Sequence, residues 1–164
     1  MRDHRMVWLA VGVIAGMAIA SYWPHEPARA AATDRNTKFA LATTPVSILD
    51  TVEGVFVLDF LTGRLTGAVL NAKVGKFGHA YYRNVAADFQ VDPKAEPNYA
   101  IICGRAQLPR QGRLSMATGV VYIAELTSGR VNAYGFAYNE SNRAVPPAEM
   151  IPLDTFPFRE ATQQ

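Results

Sequence analysis

Cysteine, tryptophan and histidine are scarce in this chain, and each scarcity removes a class of function. Cys103 is the only cysteine among 164 residues. It can close no internal disulfide and cannot build a cysteine-based zinc site. It sits in the apolar run Tyr99-Ala-Ile-Ile-Cys103, where a buried, inert thiol is expected. Both tryptophans, Trp8 and Trp23, fall in the first 30 residues, so an aromatic cage in the body would have to be built from Tyr and Phe. After residue 30 the one histidine is His79. A metal site there would be all-carboxylate apart from it, and no spaced acid cluster exists. Cys103 and His79 could pair as nucleophile and base only if the fold brought them together.

Clustered charge is also missing. Of the 16 lysines and arginines, Arg2, Arg5 and Arg29 lie in the first 30 residues, as do Asp3 and Glu26 of the 14 acids; the rest of the chain is left at a net +1. Those charges are scattered, whereas phosphate-driven binding needs a basic face, so no nucleic-acid partner is expected. The glycines at 63, 67, 75 and 78 punctuate turns and do not lead a strand into a helix, so no phosphate loop is present. No cofactor, metal or catalytic residue is assigned on these grounds, and the chain reads as a non-enzyme.

What the chain does have is a repeat. Val55–Val69 reads V-F-V-L-D-F-L-T-G-R-L-T-G-A-V, and Val121–Gly135 reads V-Y-I-A-E-L-T-S-G-R-V-N-A-Y-G, 66 positions later. Each is an apolar run, a Thr-Gly or Ser-Gly turn and a second run, the pattern of a β-hairpin. Asp59 and Glu125 stand just before the turns, where a carboxylate accepts backbone N–H bonds. Gly63 and Gly129 supply positive φ, and Arg64 and Arg130 follow within cross-strand reach of the acids. These six residues are read as turn-building rather than catalytic.

Met6–Trp23 carries no charge. As a helix it would span about 27 Å, against roughly 30 Å of bilayer hydrocarbon. It reads either as a signal anchor, with Trp8, Tyr22 and Trp23 as interfacial aromatics, or as a signal peptide cut at Ala28-Arg29-Ala30. Either reading puts the body outside the cytoplasm, in a bacterial-type cell envelope. Gly12, Gly16 and Ala20 share one helix face on which two such helices can pair.

The expected layout is a leader (1–30), a linker (31–45), a β-domain (46–139) and a Pro-rich extended tail (140–164). The β-domain is mainly antiparallel, with about six strands and one short helix at Asn84–Gln90; an α+β arrangement is the alternative. Pro146, Pro147, Pro152 and Pro157 exclude a helix or central strand from the tail. Its apolar residues Met150, Ile151, Leu153, Phe156 and Phe158 suit docking on the domain or on a neighbour.

The run Val55-Phe-Val-Leu-Asp59 with Thr62-Gly63-Arg64 resembles the inner hairpin of quinoprotein-type β-propeller repeats, and Val121–Arg130 is similar with Glu and Ser for Asp and Thr. The resemblance covers about 15 residues per copy and lacks the tryptophan that follows the turn in those repeats. It implies hairpin geometry and none of the quinone chemistry. The whole chain resembles short exported bacterial proteins of unknown function. Three functions are therefore expected in order: a non-enzymatic envelope protein that binds an unidentified protein partner or itself; a small-molecule binder with Phe56, Phe60, Tyr122 and Tyr134 lining a pocket between the hairpins; and a Cys103/His79 enzyme.

Overall fold

Alternation of buried and half-exposed side chains, the period of a strand, runs through nearly every element after residue 33. The computed structural model describes residues 3–22, 33–47, 52–91, 97–141, 143 and 145–159. It divides into two units, residues 1–30 and 31–164. The first contains helix α1 (Asp3–Tyr22), whose Val7, Trp8, Leu9, Val11, Val13, Ile14 and Met17 are exposed. No helix among the described residues is long and apolar enough to cross a membrane, so the transmembrane reading of Met6–Trp23 is not supported. Gly12 and Gly16 have open space where a Cβ would stand; the side chain of Ala20 and the cleavage motif at 28–30 lie outside the described residues.

The second unit begins with β1 (Thr33–Arg35) and β2 (Phe39–Pro45), then β3 (Glu53–Asp59), β4 (Arg64–Asn71), β5 (Lys76–Asn84) and helix α2 (Val85–Phe89). The stretch 31–45, expected to be a linker, thus contains a strand that pairs along its full length with β3. Two of its inward positions are alanines, Ala40 and Ala42, which carry little strand propensity, and that masked the strand. Strands β6 (Tyr99–Arg105), β7 (Gly119–Glu125), β8 (Arg130–Gly135), β9 (Ala148–Glu149) and β10 (Ile151–Pro157) follow. Among the described residues ten strands form two sheets, β1-β2-β3-β4-β5-β9 and β10-β8-β7-β6; six of them, β3 to β8, fall within 46–139, the number expected there, and the rest lie in the stretches expected to be linker and tail. The Pro-rich tail supplies a strand to each, and in each it takes the edge, where Pro152 and Pro157 interrupt no central ladder. The connection from β8 to β10 leaves its own sheet, pairs β9 in parallel with β5, and returns.

The repeat extends well beyond the hairpins. In both copies the turn glycine donates its N–H to the acid's carbonyl, Gly63 to Asp59 at 2.9 Å and Gly129 to Glu125 at 3.0 Å. Both glycines have positive φ, 62° and 66°. The residue after each acid bonds back to the strand before it, Phe60 N to Lys38 O and Leu126 N to Asn98 O. Val46 N bonds Val52 O, and at the corresponding place Ala106 N bonds Thr118 O. Each glycine carbonyl accepts two consecutive N–H groups, Gly63 from Val85 and Ala86, Gly129 from Phe158 and Arg159. The repeating unit is therefore a four-stranded meander: β2-β3-β4-β5 matches β6-β7-β8-β10.

The two meanders bury opposite faces. The first turns Phe56, Leu58 and Phe60 inward; the second turns Val121, Ile123 and Glu125 inward, the counterparts of Val55, Val57 and Asp59. The sheets thus stack front to back. Their contact is tightest between β2 and β6, where Thr44 Oγ1 donates to Gly104 O at 3.0 Å and Thr118 N to Val46 O at 3.1 Å. A Cβ on Gly119 would come within 2.6 Å of Pro45 O. The core between the sheets is aromatic, with Phe136 rings 5.0 Å from both Phe56 and Tyr81. Strand β3 is apolar on both faces, and its inward face is the buried one.

Gly63→Ala and Gly129→Ala test the matched corners. Each forces a side chain into the left-handed region, costing about 1–2 kcal/mol. Each also brings a Cβ to 2.5 Å from another, that of Ala86 or Arg159, adding roughly 1–3 kcal/mol of overpacking. Both variants should unfold at lower denaturant concentration, with an unchanged slope.

Candidate functional site

Three places in the second unit concentrate polar or solvent-facing chemistry: the hairpin corners, a polar chain that bridges the sheets, and the two outer sheet faces.

At the first corner Asp59 accepts from Leu61 N at 2.9 Å and Thr62 Oγ1 at 2.8 Å. The Thr62 hydroxyl leads in holding its carboxyl below the usual range. At the second, Glu125 is 1% exposed and accepts from Thr127 N at 3.0 Å and Ser128 N at 2.5 Å. Burial raises its pKa, and the N–H groups of Ser128 and Thr127 outweigh that and leave it lowered. Both acids are engaged by their own turns, and because the meanders bury opposite faces, one carboxylate stands on an outer face and the other in the interior. Arg64 and Arg130 sit opposite them in register. Arg130 nevertheless donates to Phe89 O at 2.7 Å and lies over the Phe89 ring rather than pairing with Glu125.

The polar chain was not foreseen. Arg83 on β5 makes a two-pronged contact with Asp88 of α2, Nε to Oδ2 at 2.8 Å and Nη2 to Oδ1 at 2.6 Å. Tyr134 Oη donates to Asp88 at 2.9 Å, Asn132 Nδ2 to Tyr134 Oη at 3.2 Å, and Thr155 Oγ1 to Asn132 at 2.9 Å. Arg83 Nη1 also holds Glu149 of β9 at 2.6 Å. Burial pushes the Tyr134 hydroxyl well above the usual phenol range, so it stays a donor. Every member has a partner, which marks a network that fixes the sheets relative to each other. Only Arg83 and Asp88, five apart across a strand-to-helix step, carried a sequence signal, and it is a weak one.

The residues expected to line a pocket do not do so. Phe56, Phe60 and Tyr134 are buried in the core, while Tyr122, next to Val121 and Ile123, points from the opposite face of β7. The space between the hairpins is filled by side chains, among them Phe136. Cys103 is buried, and desolvation pushes its thiol up to about 12, against the low pKa that a nucleophilic thiol needs. His79 packs its ring 5.0 Å from that of Tyr138. No hydrogen bond joins Cys103 and His79, and no group of three or more metal-ligating side chains forms among the described residues.

The outer faces are largely apolar and partly open; one end of the second is covered, where Val120 is buried and Gly135 lies against Leu108, Met116 and Leu153. On the second sheet, adjacent strands align Ala100, Ala124, Val131 and Phe156 in one row and Ile102, Tyr122, Ala133 and, at the edge, Asp154 in the next. Ile102 is 61% and Phe156 65% exposed. On the first sheet the rows are Leu41, Val57, Thr66, Tyr82 and Thr43, Val55, Ala68, Ala80. Soluble monomers expose few contiguous apolar patches, and large ones mark interaction sites. A cleft of about 440 Å³ beside this first face is lined by Thr62, Arg64, Tyr82, Arg83, Asn84 and Glu149. It presents charges of both signs, Arg64 and Arg83 against Glu149. No family model, curated protein or solved structure matches this chain.

Glu125→Gln removes the charge that Thr127 and Ser128 solvate and should cost about 1–3 kcal/mol at neutral pH. The lowered carboxyl contributes stability that is full above its ordinary value of 4.5 and is lost as pH falls through the folded value. Denaturant titrations between neutral and acid pH should therefore show a steeper loss in the parent protein than in the variant.

Proposed function

We propose that the body is a non-enzymatic protein-interaction or assembly module that works through the open parts of its outer sheet faces. The observation that carries this reading is the pair of apolar outer faces, each four strands wide. The tail was the expected contact surface. With β9 and β10 built into the sheet edges, the available apolar area lies on the faces instead. The propeller-type resemblance of the hairpins accords with the reading, because four-stranded antiparallel sheets are the unit from which such radial arrays are made. The second part of the proposal is delivery outside the cytoplasm, with 1–30 as a leader cut near Ala30. It is supported by the basic start, the uncharged stretch and the small residues Ala28 and Ala30.

A photo-crosslinking residue in place of Tyr122 should give covalent adducts heavier than the chain in the producing cell, and the same residue in place of exposed Arg113 should not. Equal yields at the two positions, or none, would remove the interaction reading. Intact mass of protein recovered from cell fractions checks the leader: mature chain should lack residues 1–30, and a retained leader in every fraction would overturn cleavage.

A further inference from the structure

We infer that copies of this chain stack head to tail, the outer face of the second sheet in one copy packing on the outer face of the first sheet in the next, so that the interface already inside each copy is repeated between copies. The inference rests on the assembly reading above and names the partner.

The argument comes from the reversed burial of two matched units. Inside one chain, the face carrying Ala40, Phe56, Leu58 and Leu65 packs on the face carrying Ile101, Val121 and Ile123. Backbone pairing gives every one of these residues a counterpart in the other meander. The counterparts of the first set are Ala100, Tyr122, Ala124 and Val131, which are the outer face of the second sheet. The counterparts of the second set are Leu41, Val55 and Val57, which are the outer face of the first sheet. Each copy therefore has one used and one unused surface of both kinds. The types match as well as the places: ring for ring at Phe56 and Tyr122, alanine for alanine at 40 and 100, β-branched for β-branched at 121 and 55.

A contact joining two different surfaces is heterologous, and it closes into a ring or runs on as a filament according to the rotation per step. Here the step is a wedge. Strands β2 and β6 touch at Thr44 and Gly104, whereas α2 lies between the outer parts of the sheets, with Asp88 reaching Tyr134 and Arg130 over Phe89. Repetition of a wedge turns about an axis beside β2 and β6, and where the turns sum to a full circle the assembly closes into a ring. Twofold pairing through one face would set like surface on like and leave the other bare.

The full chain is examined by sedimentation and native mass spectrometry, alone and with one charge on each face, Val57→Glu and Ala124→Glu. A discrete oligomer is expected for the parent chain and a monomer for each variant. Mixing the two variants should restore one sound interface and give a one-to-one pair that grows no further. Thr66→Arg and Phe156→Glu, at positions already exposed in a lone copy, replace the first pair should circular dichroism show either to be unfolded. Loss of association in only one variant of a pair, or a mixture that stays monomeric, would overturn head-to-tail stacking, as unlimited polymers would overturn closure. An oligomer that both variants retain, carried for instance by α1, would sink the stacking and leave the assembly reading standing. A parent chain monomeric at every concentration would end self-assembly, while the Tyr122 cross-link would still decide whether another protein is bound.

Discussion

The structure hangs on the seam where β2 meets β6. Here two strands from different sheets approach closely enough that Thr44 donates from its side chain to a backbone oxygen of Gly104, and that Gly119 has room for no Cβ against Pro45. Thr44 is fully buried, and a buried hydroxyl without a partner costs about 1–3 kcal/mol. That bond therefore sets both the separation and the relative slide of the sheets. Away from this line the rings of Phe56, Phe136 and Tyr81, and the buried Val85 and Phe89 of α2, fill the space between the sheets. The Arg83–Asp88–Tyr134 bridge closes the far side, where aliphatic chains alone would leave a gap.

Front-to-back stacking has an energetic reason in the residues themselves. Had both meanders buried the same face, Glu125 would have been outside and Tyr122 inside. Instead the second meander buries an acid, which is tolerable because its own turn supplies the N–H groups that a desolvated carboxylate requires. The first meander makes the opposite choice and leaves Asp59 at the surface. One turn chemistry thus serves on either side of a sheet, since the acid's partners come from its own corner and travel with it.

Much of this was legible in the chain. The hairpins, the turn glycines and their acids, α2 and the β5 and β6 strands follow from alternation and turn residues, which are local signals. Strand β2 was hidden because alanines fill its inward positions 40 and 42 and Pro45 ends it. Which face each hairpin buries was hidden because both faces are apolar, so alternation alone does not choose between them. For the same reason Phe56 and Tyr122, equivalent in the repeat, seemed partners in a pocket when they point to opposite sides. Beyond the nearby Arg83 and Asp88, the bridge draws in residues of β8, β9 and β10 that are far from them in sequence, and no local pattern announces such a contact.

The detour between β8 and β10 links the order of events in folding to the path of the chain. Strand β10 completes the second sheet only after the chain has passed along the edge of the first, where Val145 N reaches Gly78 O and Met150 N reaches Tyr82 O. The last strand of the second sheet is thus tied to the edge of the first, since β9 on β5 and β10 on β8 are separated by Met150 alone. Such interlacing raises the sequence separation of native contacts and slows the search. In return, one continuous segment closes an edge of each sheet.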